Sequence, residues 1–182
     1  MTIRELLLGE ISKKHSDEIA KMTIKNPLIF EELWDISLSD EEPVNWRAAW
    51  AIKSIWEKHP NLVEPHIQKM RLALPKIKKG GVKREYLKMI SEFPLPDNEE
   101  ELGILLKICF DYVVDPIEPA AVKVHSINIL CEISKVIPEI IPELRTTIEV
   151  AMQEGSPGIV NRGEKALKEL RQIEFNNSKA KL

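Results

Sequence analysis

An apolar segment that recurs five times constrains this chain more than any other feature. Ile11, Val44, Val82, Val122 and Ile159 each open a stretch with an apolar residue eight positions on (Ile19, Ile52, Ile90, Leu130, Leu167) and another eleven on (Met22, Ile55, Phe93, Ile133, Leu170). The starts lie 33, 38, 40 and 37 residues apart. Positions 0, +4, +7, +8 and +11 share one stripe of a 3.6-residue helix, and Val44, Ala48, Ala51, Ile52 and Ile55 fill that stripe in the clearest copy. Self-similarity at this period marks a stacked helical solenoid, in which each unit buries its apolar face against its neighbours. Alternating strand-like segments are absent. The pattern therefore predicts an all-α chain, an α-α superhelix of about four to five helix-pair repeats.

The second helix of each repeat is expected near residues 11–25, 44–58, 82–93, 118–136 and 158–174, inside a single domain over 1–175. The first helix of a pair follows a proline in Pro27-Leu28-Ile29-Phe30, Pro60-Asn61-Leu62-Val63 and Pro138-Glu139-Ile140-Ile141, since proline ends one helix and its fixed φ suits the start of the next. SDEEP (39–43), KKGG (78–81) and EGSPG (154–158) supply turn chemistry between paired helices. Asp97 to Glu101 places carboxylates where a helix N-terminus favours them. Residues 176–182 are polar and aperiodic, and are expected to form a flexible C-terminal tail.

Composition narrows the function classes. The 182 residues suit one globular unit, and 43% hydrophobic content suffices for a core. Charged residues reach 30% but nearly cancel, leaving a net of -3, so no whole-chain field draws in nucleic acid or an anionic membrane. The opening MTIRELLLGE has an apolar run too short and too acidic for a secretory leader, and no apolar stretch is long enough to span a bilayer. The expected compartment is the cytoplasm, with no membrane association. Cys109 and Cys131 sit inside apolar helical patterns, which suits two reduced, buried thiols better than a disulfide or zinc site.

VNWRAAWAIKSI (44–55) and IVNRGEKALKEL (159–170) share R-[AG]-x-x-A-[IL]-K-x-[IL]. That motif resembles the second helix of a HEAT repeat, and the resemblance, which extends to armadillo-like arrays, covers residues 11–174. It implies a right-handed superhelix of helix pairs that serves protein binding. The basic residue just after the repeat valine is kept as Lys83 and Lys123, whereas Asn45 and Val160 stand in its place in two other copies.

Signatures of chemistry are missing. The chain has no phosphate-binding GxxxxGK[ST], no GxGxxG, no GxSxG and no HExxH. His15, His59, His66 and His125 lie at no i, i+4 spacing that would make a metal pair. No carboxylate pair is set apart for acid and base roles. The sequence thus implies no cofactor, no metal and no catalytic residue, and it favours a protein without catalysis. His125 falls at the +3 position of its repeat, as do Arg47 and Arg162, which reads as a polar helix flank.

Trp34, Trp46, Trp50 and Trp56 crowd into 23 residues. Trp46 and Trp50 stand at +2 and +6, opposite the apolar stripe, and the same row holds Arg84 and Lys88, then Asn128, then Lys165. Tryptophan and arginine dominate binding hot spots, so Trp46, Trp50, Arg84, Lys88, Asn128 and Lys165 are candidate binding residues on a concave face. The competing expectation is that Trp46 and Trp50 pack under the N-terminal helices. Lys69, Arg71, Lys76, Lys78, Lys79, Lys83 and Arg84 form a basic run that could meet phosphates or be a solvated turn. The leading reading is a non-catalytic scaffold that binds a protein or peptide. A nucleic-acid module resembling the DNA alkylation repair glycosylases and a HEAT-like subunit of an enzyme or small-molecule lyase are the alternatives.

Overall fold

The computed structural model describes residues 2–9, 12–26 and 28–180. Ile11, which opens the first copy of the repeat, Pro27, and residues 181 and 182 of the expected tail lie outside the described residues. Among the described residues the chain is all-α, with no strand. The chain comprises two compact units that meet in sequence at Phe93 and Pro94.

The first unit contains α1 (Ile3–Leu8), α2 (Lys13–Lys25), α3 (Leu28–Leu38), α4 (Val44–Lys58), α5 (Pro60–Val63), α6 (Ile67–Ala73) and α7 (Gly80–Ile90). Local chemistry sets the early starts. The Thr2 hydroxyl accepts from the Glu5 N–H at 3.1 Å while the Glu5 carboxylate accepts from the Thr2 N–H at 2.8 Å, a reciprocal cap that satisfies two donors. Ser12 caps α2 by accepting from the His15 N–H. The first helix of the third pair is broken into α5 and α6 by a single turn of 3-10 helix at Glu64–His66, and a second such turn at Leu74–Lys76 ends it. Pro65 and Pro75 sit in those turns and remove the N–H that a continuous helix would use.

Helix α4 lies at the centre of this unit, against α1, α2, α3, α5 and α7. Ala48, Ala49, Ala51, Ile52 and Ile55 are all buried, and the alanines allow the close approach of neighbours on several sides. Each fully buried Ile or Leu contributes about 1.5–3 kcal/mol relative to exposure. Val44, Val82, Val122 and Ile159 are buried repeat openers. The first copy departs from the pattern: Met22 is 39% exposed, because α2 buries the stripe Ser16, Ile19, Ala20 and Thr23 instead.

The second unit contains α8 (Glu99–Val114), α9 (Ala120–Val136), α10 (Ile141–Gln153) and α11 (Pro157–Ala180). Asn98 caps α8 by accepting from the Glu101 N–H at 2.9 Å, with Glu99, Glu100 and Glu101 in the first turn, as the acidic run predicts. Helix α9 packs against α8, α10 and α11, and Ile127, Ile129, Leu130 and Ile133 fill that contact. Helix α11 runs through residues 176–180, which the sequence sets apart as a tail.

Candidate functional site

Trp46 and Trp50 project from α4 and are each half-buried. Trp46 meets the start of α7, where a Cβ added to Gly81 would lie 2.9 Å from the Trp46 Cβ. Only a glycine lets the two helices approach so closely there. Arg84 and Lys88 follow Gly81 by about one and two turns on α7, so the row Trp46, Gly81, Arg84 and Lys88 is assembled within one unit. Trp50 instead turns toward the N-terminal helices. With Leu7, Ser12, His15, Ser16, Arg47 and others it lines a space of ≈ 20 Å³, about the room for one water.

Arg47 stands beside this row. Its guanidinium carbon lies 5.7 Å from the centroid of the Trp46 ring. Its Nη1 donates to the Leu7 carbonyl at 2.6 Å and the Gly9 carbonyl at 3.2 Å, and His15 Nε2 shares a hydrogen bond with the Leu6 carbonyl. These carbonyls stand at the end of α1, where helical donors run out and, among the described residues, the Leu6 carbonyl has only the Gly9 N–H as a backbone donor, at 3.1 Å, and a cation there also opposes the negative end of the helix dipole. Arg47 therefore clamps α1 onto α4. Sequence reasoning saw only a polar flank at this position, because the acceptors belong to backbone some forty residues away.

Several cations of the first unit face carboxylates. Arg84 donates from Nε and Nη2 to Glu85 Oε1 at 2.9 and 2.5 Å, and Glu85 is buried. Lys53 pairs with Glu57 at 2.7 Å. Within the seven-cation run, Lys69 pairs with Glu31 at 3.5 Å and lies 5.7 Å from the Trp34 ring, and Lys79 pairs with Glu42 at 2.8 Å. Arg71 and Lys83 are buried, while Lys76 and Lys78 are exposed. Carboxylates from α3, the α3–α4 link and α7 thus face three of the seven cations of this run.

His66 packs at a tilt against Phe30 with centroids 4.3 Å apart, and burial lowers its pKa despite Glu31 at 3.8 Å. Among the described residues no group of three His, Cys, Asp or Glu side chains is placed to hold a metal.

Asn128 on α9 is half-buried and Lys165 on α11 is exposed; both belong to the second unit, whereas the tryptophan row belongs to the first. The polar chemistry of that unit centres on Arg162, whose Nη1 and Nη2 donate to the two carboxylate oxygens of Glu169 at 2.9 and 3.1 Å. Those donated bonds hold Glu169 below the usual carboxylate range. Cys131 is buried beside the pair, and burial pushes its thiol up to about 12. Burial does the same to Cys109. Neither cysteine is in a disulfide.

Among the described residues no helix is long and apolar enough to cross a membrane. A family model described as "HEAT repeat domain" matches residues 3–170. Comparison with curated proteins and with solved structures finds no match.

Proposed function

The chain belongs to the HEAT repeat domain family, and from that premise we propose that it is a non-catalytic scaffold that holds a protein or peptide partner against the α4–α7 face of its first unit. The observation that carries this reading is the seating of Trp46 on Gly81, with Arg84 and Lys88 on the following turns of α7. A half-buried indole loses little side-chain entropy when a partner covers it, because its neighbours already hold it. Arg84 is likewise held by Glu85, which keeps its guanidinium oriented. Aromatic and arginine side chains fixed in this way are the usual anchors of a protein interface. Trp50 enters the proposal as a secondary contact of the same unit, while Asn128 and Lys165 remain candidate contacts of the second unit by itself.

The pairing of Lys69, Lys79 and Arg84 with Glu31, Glu42 and Glu85 counts against the nucleic-acid alternative. A cation already facing a carboxylate releases fewer counterions from a phosphate backbone.

The test is to select peptides from a displayed random library on the wild-type protein, then to titrate the selected peptides against Trp46→Ser and against the Arg84→Glu, Lys88→Glu double variant. We expect binding to weaken about tenfold or more, a loss of about 1.4 kcal/mol, with the melting point of Trp46→Ser held within a few degrees; the double variant sets a second carboxylate beside buried Glu85 and is expected to melt lower. A large fall in melting point would make Trp46 a packing residue. Salt-sensitive binding of single-stranded DNA that the double variant abolishes would replace the peptide by nucleic acid.

A further inference from the structure

The second unit carries an exposed aliphatic edge that the tryptophan face does not explain. Val114, at the end of α8, is 63% exposed, Ile117 in the following link is 88% exposed, and Val150 on α10 is 58% exposed. Single exposed aliphatics are ordinary, whereas a cluster beside a cleft marks a surface that something covers. Val114 and Val150 meet in such a cleft, and Ile117 stands in the adjoining link. Val114, Pro116 and Val150 line one cleft of ≈ 200 Å³ together with Lys123 and Glu154. Ile117 follows Pro116 directly, and its N–H donates to Asp115 Oδ1 at 2.9 Å. Proline's fixed φ and this Asx-type bond hold the link in one shape, so Ile117 is presented to solvent rather than left to collapse inward.

The charges around the edge have one dominant sign. Asp115 and Glu118 flank Pro116 and Ile117, Glu154 lines the cleft at the end of α10, and Lys123 is the half-buried cation among them. An apolar centre with a polar, like-charged rim is the layout of an interface, and the sign of the rim selects its partner.

We propose that this edge is a docking surface for a basic peptide segment with one aliphatic or aromatic anchor. The anchor enters the cleft between Val114 and Val150, and its cationic neighbours face Asp115, Glu118 and Glu154. A second copy of the chain fits worse, because a two-fold pairing of the edge sets the same carboxylates against one another.

The experiment uses the full chain with methyl-labelled valine and isoleucine and a synthetic peptide of about twelve residues, in which a central leucine is flanked by lysines. Two control peptides replace that leucine by glycine or the lysines by glutamate. The lysine–leucine peptide is expected to shift the methyl resonances of Val114, Ile117 and Val150 while leaving Val44 and Val82 in place. The Ile117→Ser and Glu154→Lys variants each weaken it at least tenfold with unchanged melting point, since both sites are exposed. Trp46→Ser leaves this binding intact, which separates the edge from the first-unit reading. Unmoved edge methyls, or equal binding of the glycine control, overturns the proposal. A wild-type dimer in sedimentation that Ile117→Ser dissociates overturns it in favour of a second copy.

Discussion

Tyr86 gives its phenolic hydrogen to Ser37 across the contact between α7 and α3. The direction follows from Ser37, whose own hydrogen goes to the Trp34 carbonyl at 2.7 Å, so the bond between the two hydroxyls has the tyrosine as donor. Trp34 stacks on the Tyr86 ring at 5.4 Å with planes 12° apart. Tyr86 is fully buried, and burial pushes its phenol well above the ordinary range.

This direction predicts unequal costs for two conservative deletions. Tyr86→Phe leaves Ser37 bonded to Trp34 and should destabilise by about 1 kcal/mol, whereas Ser37→Ala strands a buried phenolic hydrogen and should cost about 1–3 kcal/mol. Urea denaturation of the two variants ranks them. Equal losses would mean that the hydroxyl pair is not oriented as described.

Two glycines make an opposed pair. Gly103 in α8 is exposed and an added Cβ meets nothing within 4 Å, so Gly103→Ala should stabilise by about 0.5–1 kcal/mol through helix propensity. Gly81→Ala drives a Cβ to 2.9 Å from the Trp46 Cβ, near the backbone where no rotamer relieves it. That overpacking should cost about 1–3 kcal/mol despite the same propensity gain, and thermal melts of both variants check the signs.

Arg47→Met keeps much of the side chain's apolar stem but removes the donors to Leu7 and Gly9. The loss should appear first as local opening. Amide hydrogen exchange in α1 is expected to speed up several-fold while exchange in α9 is unchanged. Uniform acceleration across both units would show that α1 is not an independently held element.

The Arg162–Glu169 pair predicts a pH dependence with a definite sign. Glu169 titrates below its ordinary 4.5 in the folded chain, so its stabilising effect is present above the unfolded carboxylate range and is lost as pH falls through the lower folded value. The stability gap between wild type and Arg162→Met should thus be largest near neutrality and shrink on acidification below 4.5. Because the Glu169 side chain is 47% exposed, the effect is solvent-screened and modest. A gap that stays constant with pH removes the ion pair as its source.

Cys109 and Cys131 should resist a thiol reagent at pH 8 until the chain unfolds. Both thiols are buried with pKa values pushed to about 12, so little thiolate is available in the native state. Labelling that tracks urea-induced unfolding confirms this, and rapid native labelling contradicts it.

Much of the fold was legible because the buried stripe is written in large aliphatic residues. Val44, Ile52 and Ile55 announce α4, and Val122, Leu130 and Ile133 announce α9. The register of α2 was hidden because its buried stripe includes Ser16, Ala20 and Thr23, which do not read as apolar, and Met22 stood in for them. The partners of the basic run were hidden for a different reason. Lys69 and Lys79 find their carboxylates at Glu31 and Glu42, nearly forty residues earlier, and no local pattern carries that pairing. Trp34 and Trp46 look alike in sequence, yet one stacks in the core on Tyr86 and the other rests half-covered on Gly81. The tethering of α1 by Arg47 and His15 left no sequence signal, because its acceptors are backbone carbonyls.

The crowding around α4 fixes how freely its sequence can drift. A helix covered on one side can exchange an alanine for a larger residue by leaning outward, but α4 has neighbours on several sides and nowhere to lean. Ala48, Ala49 and Ala51 are therefore among the least replaceable letters of the first unit. A partner that comes to rest on Trp46 settles on the segment of this unit least free to vary.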